Sequence, residues 1–169
     1  ESCAAGIEDI DRVWLRSKGR HVKEIEFLVG QVGGRAQRYR RLFLGRIDDA
    51  PVAYISYSPS YGTRSGWLHD LSRRLPDSPP GVMEAINLHA AECFAAEKAG
   101  WLHFGFTPFT SLDPSHETAS ASPLTSKFMR LLAERGGAVY PAKTQLAYKE
   151  KWGPHLVVPE YLAFEKGPS

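Results

Sequence analysis

Between residues 66 and 100 the spacing of apolar positions changes twice. Residues 66–71, Gly-Trp-Leu-His-Asp-Leu, read as a strand, and 76–81, Pro-Asp-Ser-Pro-Pro-Gly, as a tight turn. Residues 82–98 read as a helix, with Met83, Ile86, Ala90 and Cys93 on one apolar face. Pro80 suits the first helical turn, Ser78 or Asp77 is expected to cap it, and Gly100 to mark its exit. Upstream, Ile7, Ile10, Val13 and Trp14 repeat at helical spacing. Residues 40–47 and 51–58 form the clearest hairpin, turning at Asp48-Asp49-Ala50. Its second strand is apolar at both parities, which predicts burial on both faces. Residues 101–106 read as a further strand. A helix is expected from Ser122-Pro123, with Leu124, Phe128, Leu131 and Leu132 on one face and a stop at Arg135-Gly136-Gly137. Val139-Tyr140 and 144–151 read as final strands. Residues 21–27 are mixed and end in a turn-like Val29-Gly30, 107–122 form a long polar loop, and 152–169 are rich in proline and aromatic residues.

Composition narrows this picture without redirecting it. The 169 residues fit one domain with a sizeable core, and 43% hydrophobic with 24% charged residues is ordinary for a globular chain. No apolar run reaches the ~18 residues that would span a membrane, and no secretory leader is visible. A chain that opens at Glu1 is expected to be a piece of a longer or processed protein. Cys3 and Cys93 make no disulfide framework; Cys93 is expected to pack as core in a reducing, cytoplasmic setting. The six histidines show no metal-ligand spacing, although His69 and His103 could face each other on neighbouring strands. The net charge of +2 favours no partner by itself. Arg35, Arg38, Arg40 and Arg41, with Arg46 following, are the densest basic cluster, readable as a solvated surface or as a phosphate contact.

The order helix, loop, three strands, helix, strand, helix, two strands is similar to that of the Gcn5-related N-acetyltransferase fold, a mixed α/β (α+β) sheet flanked by helices. In that fold the junction after the central strand holds the pyrophosphate of coenzyme A. Here the junction reads Arg74-Leu-Pro-Asp-Ser-Pro-Pro-Gly81, and Pro79 and Pro80 carry no backbone N–H to offer an anion. That weakens an acyl-CoA reading while leaving the fold reading intact.

Ordered motifs point more narrowly. Asp70-Leu-Ser-Arg73 resembles the Asp-Leu-Met-Arg of the C-terminal domain of bacterial phosphatidylglycerol lysyltransferases, the multiple peptide resistance factors. Pro76-Asp-Ser-Pro-Pro-Gly-Val-Met-Glu84, Phe104-Gly-Phe-Thr-Pro108, Tyr148-Lys-Glu-Lys-Trp-Gly-Pro154 and Pro159-Glu-Tyr-Leu162 resemble its later motifs in order. The resemblance implies transfer of an amino acid, lysine or alanine, from aminoacyl-tRNA to the glycerol hydroxyl of phosphatidylglycerol. It further implies an anionic phospholipid partner, an N-terminal partner domain with membrane helices, and a cytoplasmic domain of an inner-membrane protein linked to antimicrobial peptide resistance.

An aminoacyl ester is already activated, so this chemistry requires no metal or redox cofactor. It needs a positioned hydroxyl, a proton acceptor and stabilisation of an oxyanion. Asp70, Arg73, Glu84 and Lys149 are the candidate catalytic residues, with Asp70 expected to recognise the amine or act as base. Arg74, Gly81, Thr107, Tyr148 and Lys151 are the candidate substrate contacts. Period two would put Lys149 and Lys151 on one strand face, and Tyr148, Trp152 and Tyr161 could stack on a tRNA end. Simpler roles compete: an Asp70–Arg73 surface ion pair, Glu84 as a helix-dipole partner, aromatic residues as core. Two rival functions remain at this stage, an acyl-CoA acyltransferase and a non-catalytic domain that binds tRNA or membrane.

Overall fold

The computed structural model describes residues 2–17, 35–108, 110–135 and 142–161. The chain divides into two compact units, Glu1–Gly105 and Phe106–Ser169. The expectations for 21–27, Val29-Gly30, Gly136-Gly137 and Val139-Tyr140 fall outside the described residues.

The first unit carries α1 (Ser2–Ser17), a 3-10 turn (Arg35–Tyr39), β1 (Arg41–Ile47), β2 (Ala50–Ser60), β3 (Gly66–Arg74), α2 (Val82–Ala96) and β4 (Trp101–His103). Its sheet has the order β1-β2-β3-β4, antiparallel except for the parallel β3–β4 pair. This is the mixed α/β architecture expected from the sequence. The β1–β2 hairpin turns on Asp48 and Asp49, both at positive φ (48 and 64°), while Ala50 already pairs with Ile47. Adjacent left-handed residues match the twist of a two-residue hairpin.

Each sheet face is covered by one helix. On one face Phe43, Ala53, Ile55, Tyr57 and Trp67 pack against Ile86, Ala90 and Phe94 of α2. Gly45 lets that helix come close, since a Cβ there would lie 2.8 Å from the Ile86 Cδ1 atom. On the other face Leu42, Leu44, Tyr54 and Leu71 pack against Ile7 and Ile10 of α1. β2 lies between both layers, and residues 53 to 57 are buried at both parities as expected.

The buried stripe of α2 is Ile86, Asn87, Ala90 and Phe94, rotated from the expected one: Cys93 is half-buried and Asn87 fully buried. Tyr57 explains the asparagine, because its hydroxyl donates to Asn87 Oδ1 at 2.6 Å. The expected caps also differ. Gly81 is the N-cap at φ 84° with no side-chain cap bond. Ser78 is instead drawn down to the sheet, its hydroxyl donating to the Val52 carbonyl at 3.1 Å, where the Leu75 N–H also donates. The helix ends at Ala96, with Lys98 rather than Gly100 at positive φ (61°) and the Ala99 N–H returning to the Phe94 carbonyl.

The β3–β4 ladder is short: Gly66↔Trp101, Trp67↔Leu102 and Leu68↔His103. Gly66 permits it, because a Cβ there would sit 2.0 Å from the Trp101 carbonyl oxygen. β4 stops at His103, short of the expected 106, and Gly105 turns the chain at φ 64°. β3 runs on past the ladder to Arg74, beyond the expected end at 71.

The second unit carries a 3-10 turn (Pro114–His116), α3 (Pro123–Arg135) and α4 (Ala142–Glu150). The helix expected after Ser122 is present, but Leu124, Phe128 and Leu131 of its apolar face are exposed. The strand expected over 144–151 is instead α4 and the turn that follows it. Its sequence, Ala-Lys-Thr-Gln-Leu-Ala-Tyr-Lys-Glu, is mostly strong helix formers, and Tyr148 meets Trp152 one turn on, ring centroids 6.3 Å apart. Positions two apart on a helix do not share a face, so Lys149 and Lys151 do not present the paired cations that period two implied. No helix among the described residues is long and apolar enough to cross a membrane.

Candidate functional site

The β2–β3 register changes at one point. Ser56 pairs with Leu71 and Tyr57 with His69, so Asp70 is an extra residue without a cross-strand partner. Such a bulge re-aims side chains. Before it, Trp67 and His69 face α2: Trp67 stacks on Phe94 at 5.2 Å and His69 lies 5.4 Å from the Tyr57 ring. After it, Leu71 and Arg73 face α1. Asp70 joins that second face through a hydrogen bond from Ser58 Oγ at 2.6 Å. Two consecutive side chains, Asp70 and Leu71, thereby point the same way. Asp70 lies two residues past the end of the β3–β4 ladder, where the parallel strands stop pairing. Ligands of open α/β sheets bind beyond the carboxyl ends of parallel strands.

Arg40 completes the Asp70 cluster, with Nε 3.1 Å from Asp70 Oδ2 and 3.2 Å from Ser58 Oγ. Arg73 does not pair with Asp70. Its side chain is 3% exposed, with Nη1 2.7 Å from Asp11 Oδ1 and the guanidinium over the Trp14 ring at 4.9 Å. The Tyr54 hydroxyl donates to the same Asp11 oxygen at 2.5 Å. Burial, then this bond to a carboxylate, push the Tyr54 pKa far above the ordinary phenol value, against a smaller opposing effect of Arg73. Arg73 thus holds α1 to the sheet.

The other candidates separate. Glu84 and Gly81 lie at the start of α2, over the face that Asp70 turns away from. Arg74 donates to the Ser78 carbonyl at 3.3 Å and steadies the proline turn. His69 and His103 do not face each other: Leu68 is the partner of His103, which donates from Nε2 to the Arg64 carbonyl at 2.8 Å. The arginine cluster is divided rather than pooled. Arg40 serves Asp70, and Arg41 covers Phe43, Trp67 and Phe94 on the opposite face while paired with Glu97. Arg38 stacks on Tyr39 at 4.7 Å.

Within the second unit Lys149 stands out. Its Nζ donates to the Phe106 carbonyl at 2.9 Å, and burial pulls its pKa below the usual lysine range, partly offset by Glu160. Burial together with a hydrogen bond to a backbone carbonyl sets this lysine apart from solvated surface lysines. Tyr148 precedes it on α4, Lys151 lies in the turn after it, and the Thr107 carbonyl accepts from the Thr110 hydroxyl at 2.8 Å. Sequence reasoning gave Ser58 no role and read Arg40 as part of a basic cluster, either a solvated surface or a phosphate contact, without pairing it to Asp70. The signal for both lies in cross-strand register, which a single strand's pattern does not carry.

Residues 1–164 match the family described as phosphatidylglycerol lysyltransferase, C-terminal. No curated protein matches the chain.

Proposed function

The chain belongs to the phosphatidylglycerol lysyltransferase C-terminal family, and on that premise we propose that it transfers an aminoacyl group from aminoacyl-tRNA to the glycerol hydroxyl of phosphatidylglycerol. The family is that of a transferase acting on this lipid; the donor we infer is aminoacyl-tRNA, carrying lysine or alanine. The ester between the amino acid carbonyl and a tRNA ribose oxygen breaks. An ester to the glycerol oxygen forms, and the hydroxyl proton ends on the ribose oxygen. Nothing is oxidised or reduced.

The observation that carries this reading is Asp70, a partly exposed carboxylate on a bulge where two parallel strands part. Asp70 takes the amino group of the transferred residue. In the first unit Arg74 and Gly81, at the proline turn rather than on the Asp70 face, are further candidate substrate contacts; in the second unit, taken by itself, Lys149, Lys151 and Thr107 are the candidates for contact with an ester carbonyl or a phosphate. Tyr148 stacks on the tRNA end, and Glu84 supports the α2 side. Arg73 acts through the packing of α1 rather than by touching substrate. The N-terminal partner domain and membrane helices implied by the family motifs would bring lipid to this site.

The test uses the full-length protein with anionic lipid and tRNA charged with labelled amino acids, each tried in turn. Label is expected in the lipid extract and is expected to fall about a hundredfold in Asp70→Ala. Intact charged tRNA together with tight coenzyme A binding would reverse the reading in favour of acyl-CoA chemistry.

A further inference from the structure

The fold treats the two carboxylate oxygens of Asp70 differently. Oδ2 accepts from Ser58 Oγ at 2.6 Å and lies 3.1 Å from Arg40 Nε. Arg40 Nε also reaches Ser58 Oγ at 3.2 Å, so the side chains close a ring of contacts. Arg40 is itself steadied through Nη1 by Gln37 Oε1 at 3.3 Å, from the turn that leads into β1. Oδ1 has no hydrogen-bond partner among the described residues, and the side chain is 23% exposed. An ionised carboxylate only accepts, so Oδ1 can take an N–H or O–H donor and repels an ester carbonyl or a phosphate. An aminoacyl ester carries one cation, its ammonium, which forms a charge-assisted bond of this kind. A hydroxyl nucleophile would instead make Asp70 take a proton and give up its charge 3.1 Å from the Arg40 guanidinium. An ammonium needs no such transfer.

We propose that Ser58 and Arg40 are positioning residues: they lock Oδ2 so that Oδ1 meets the protonated amino group of the incoming acyl donor, and the site thereby selects donors with a free amine. This rests on the aminoacyl-transfer reading of Asp70 and adds which donors are admitted and what enforces the choice. Ser58 is the informative position, because its hydroxyl sets the aim of Asp70 while Arg40 supplies the charge.

The experiment compares wild type, Ser58→Ala and Ser58→Thr as full-length protein in two assays. Calorimetry measures binding of alaninamide and lysinamide against lactamide, in which a hydroxyl replaces the amine. Transfer assays compare aminoacyl-tRNA with N-acetylaminoacyl-tRNA. Wild type is expected to favour the free amine at least about tenfold in both. Ser58→Ala is expected to lose most of that preference and to raise KM about tenfold, with a smaller change in kcat and an unmoved melting temperature. Ser58→Thr, which keeps a hydroxyl, is expected to restore the preference. Equal use of blocked and free donors by wild type would overturn the proposal and leave lipid aminoacylation standing. Loss of kcat at unchanged KM in Ser58→Ala would also overturn it, since Asp70 would then act in the chemical step. Ser58-dependent selection of amines by a protein that leaves charged tRNA intact would sustain the proposal and remove the tRNA reading.

Discussion

Asp11 and Asp70 each hold an arginine on the α1 side of the sheet, Asp11 against Arg73 at 2.7 Å and Asp70 against Arg40 at 3.1 Å. Asp11 gives a single oxygen to both Arg73 and the Tyr54 hydroxyl, and the aromatic face of Trp14 covers the guanidinium. That cluster is closed: its arginine is 3% exposed and its tyrosine 2%. The Asp70 cluster uses one carboxylate oxygen among the described residues, and its side chain is 23% exposed against 15% for Asp11. The same pair of residue types therefore does two jobs. Where the charges are covered, removing one partner strands the other in low dielectric. Where an oxygen is left over, the carboxylate can still accept from a donor outside the fold.

Four substitutions test the contrast and its surroundings, beginning with the largest effect. Asp11→Ala leaves a buried guanidinium without this carboxylate. We expect a loss of about 3–5 kcal/mol in urea unfolding, against about 1–2 kcal/mol for Asp70→Ala, whose partner Arg40 is nearer solvent. Equal losses would break the distinction. Tyr54→Phe removes one donor to Asp11 and keeps the ion pair, so about 1–2 kcal/mol is expected by the same measurement, with no change in transfer once folded. The smallest effect belongs to the second unit. Burial lowers the Lys149 pKa below its unfolded value of about 10.4, so the folded chain binds fewer protons between those two values. The penalty for burying the cation is full below the folded pKa and is relieved as pH rises through it toward the unfolded value. Melting curves of wild type should therefore gain on those of Lys149→Met as the pH is raised toward about 10; parallel curves would mean that the folded environment does not perturb Lys149.

Much of the first unit could be read from its pattern. The uninterrupted apolar run in β2 announced a strand between two layers, and the turn at Asp48-Asp49 marked where β1 gives way to β2, whereas β3 runs to Arg74, past its expected end at 71. Asp70 was legible as a candidate through its motif, but its geometry was not. In Gly-Trp-Leu-His-Asp-Leu-Ser-Arg-Arg the side chains alternate on paper, and only pairing with β2 shows that Asp70 is supernumerary. Ser58 and Arg40 were hidden for the same reason, since their meaning depends on a strand 12 or more positions away. Arg73 was assigned to chemistry because Asp11 lies far off in sequence and meets it only after α1 docks. Around Lys149 an alternating pair of lysines was weighed above the helix-forming residues that surround it, and local propensity prevailed.

The bulge at Asp70 has a consequence for edits to chain length. Side-chain parity along a strand is arithmetic, and one added residue reverses it for everything downstream. β3 has two segments of opposite parity, with Trp67 and His69 on one side of the join and Leu71 and Arg73 on the other, each matched to its own helix. Deleting Ser72 would turn Leu71 or Arg73 away from α1. Deleting Asp70 would leave a regular ladder with every remaining side chain on its present face. The sheet is complete without this residue, which makes Asp70 the one position in β3 that the architecture itself does not require.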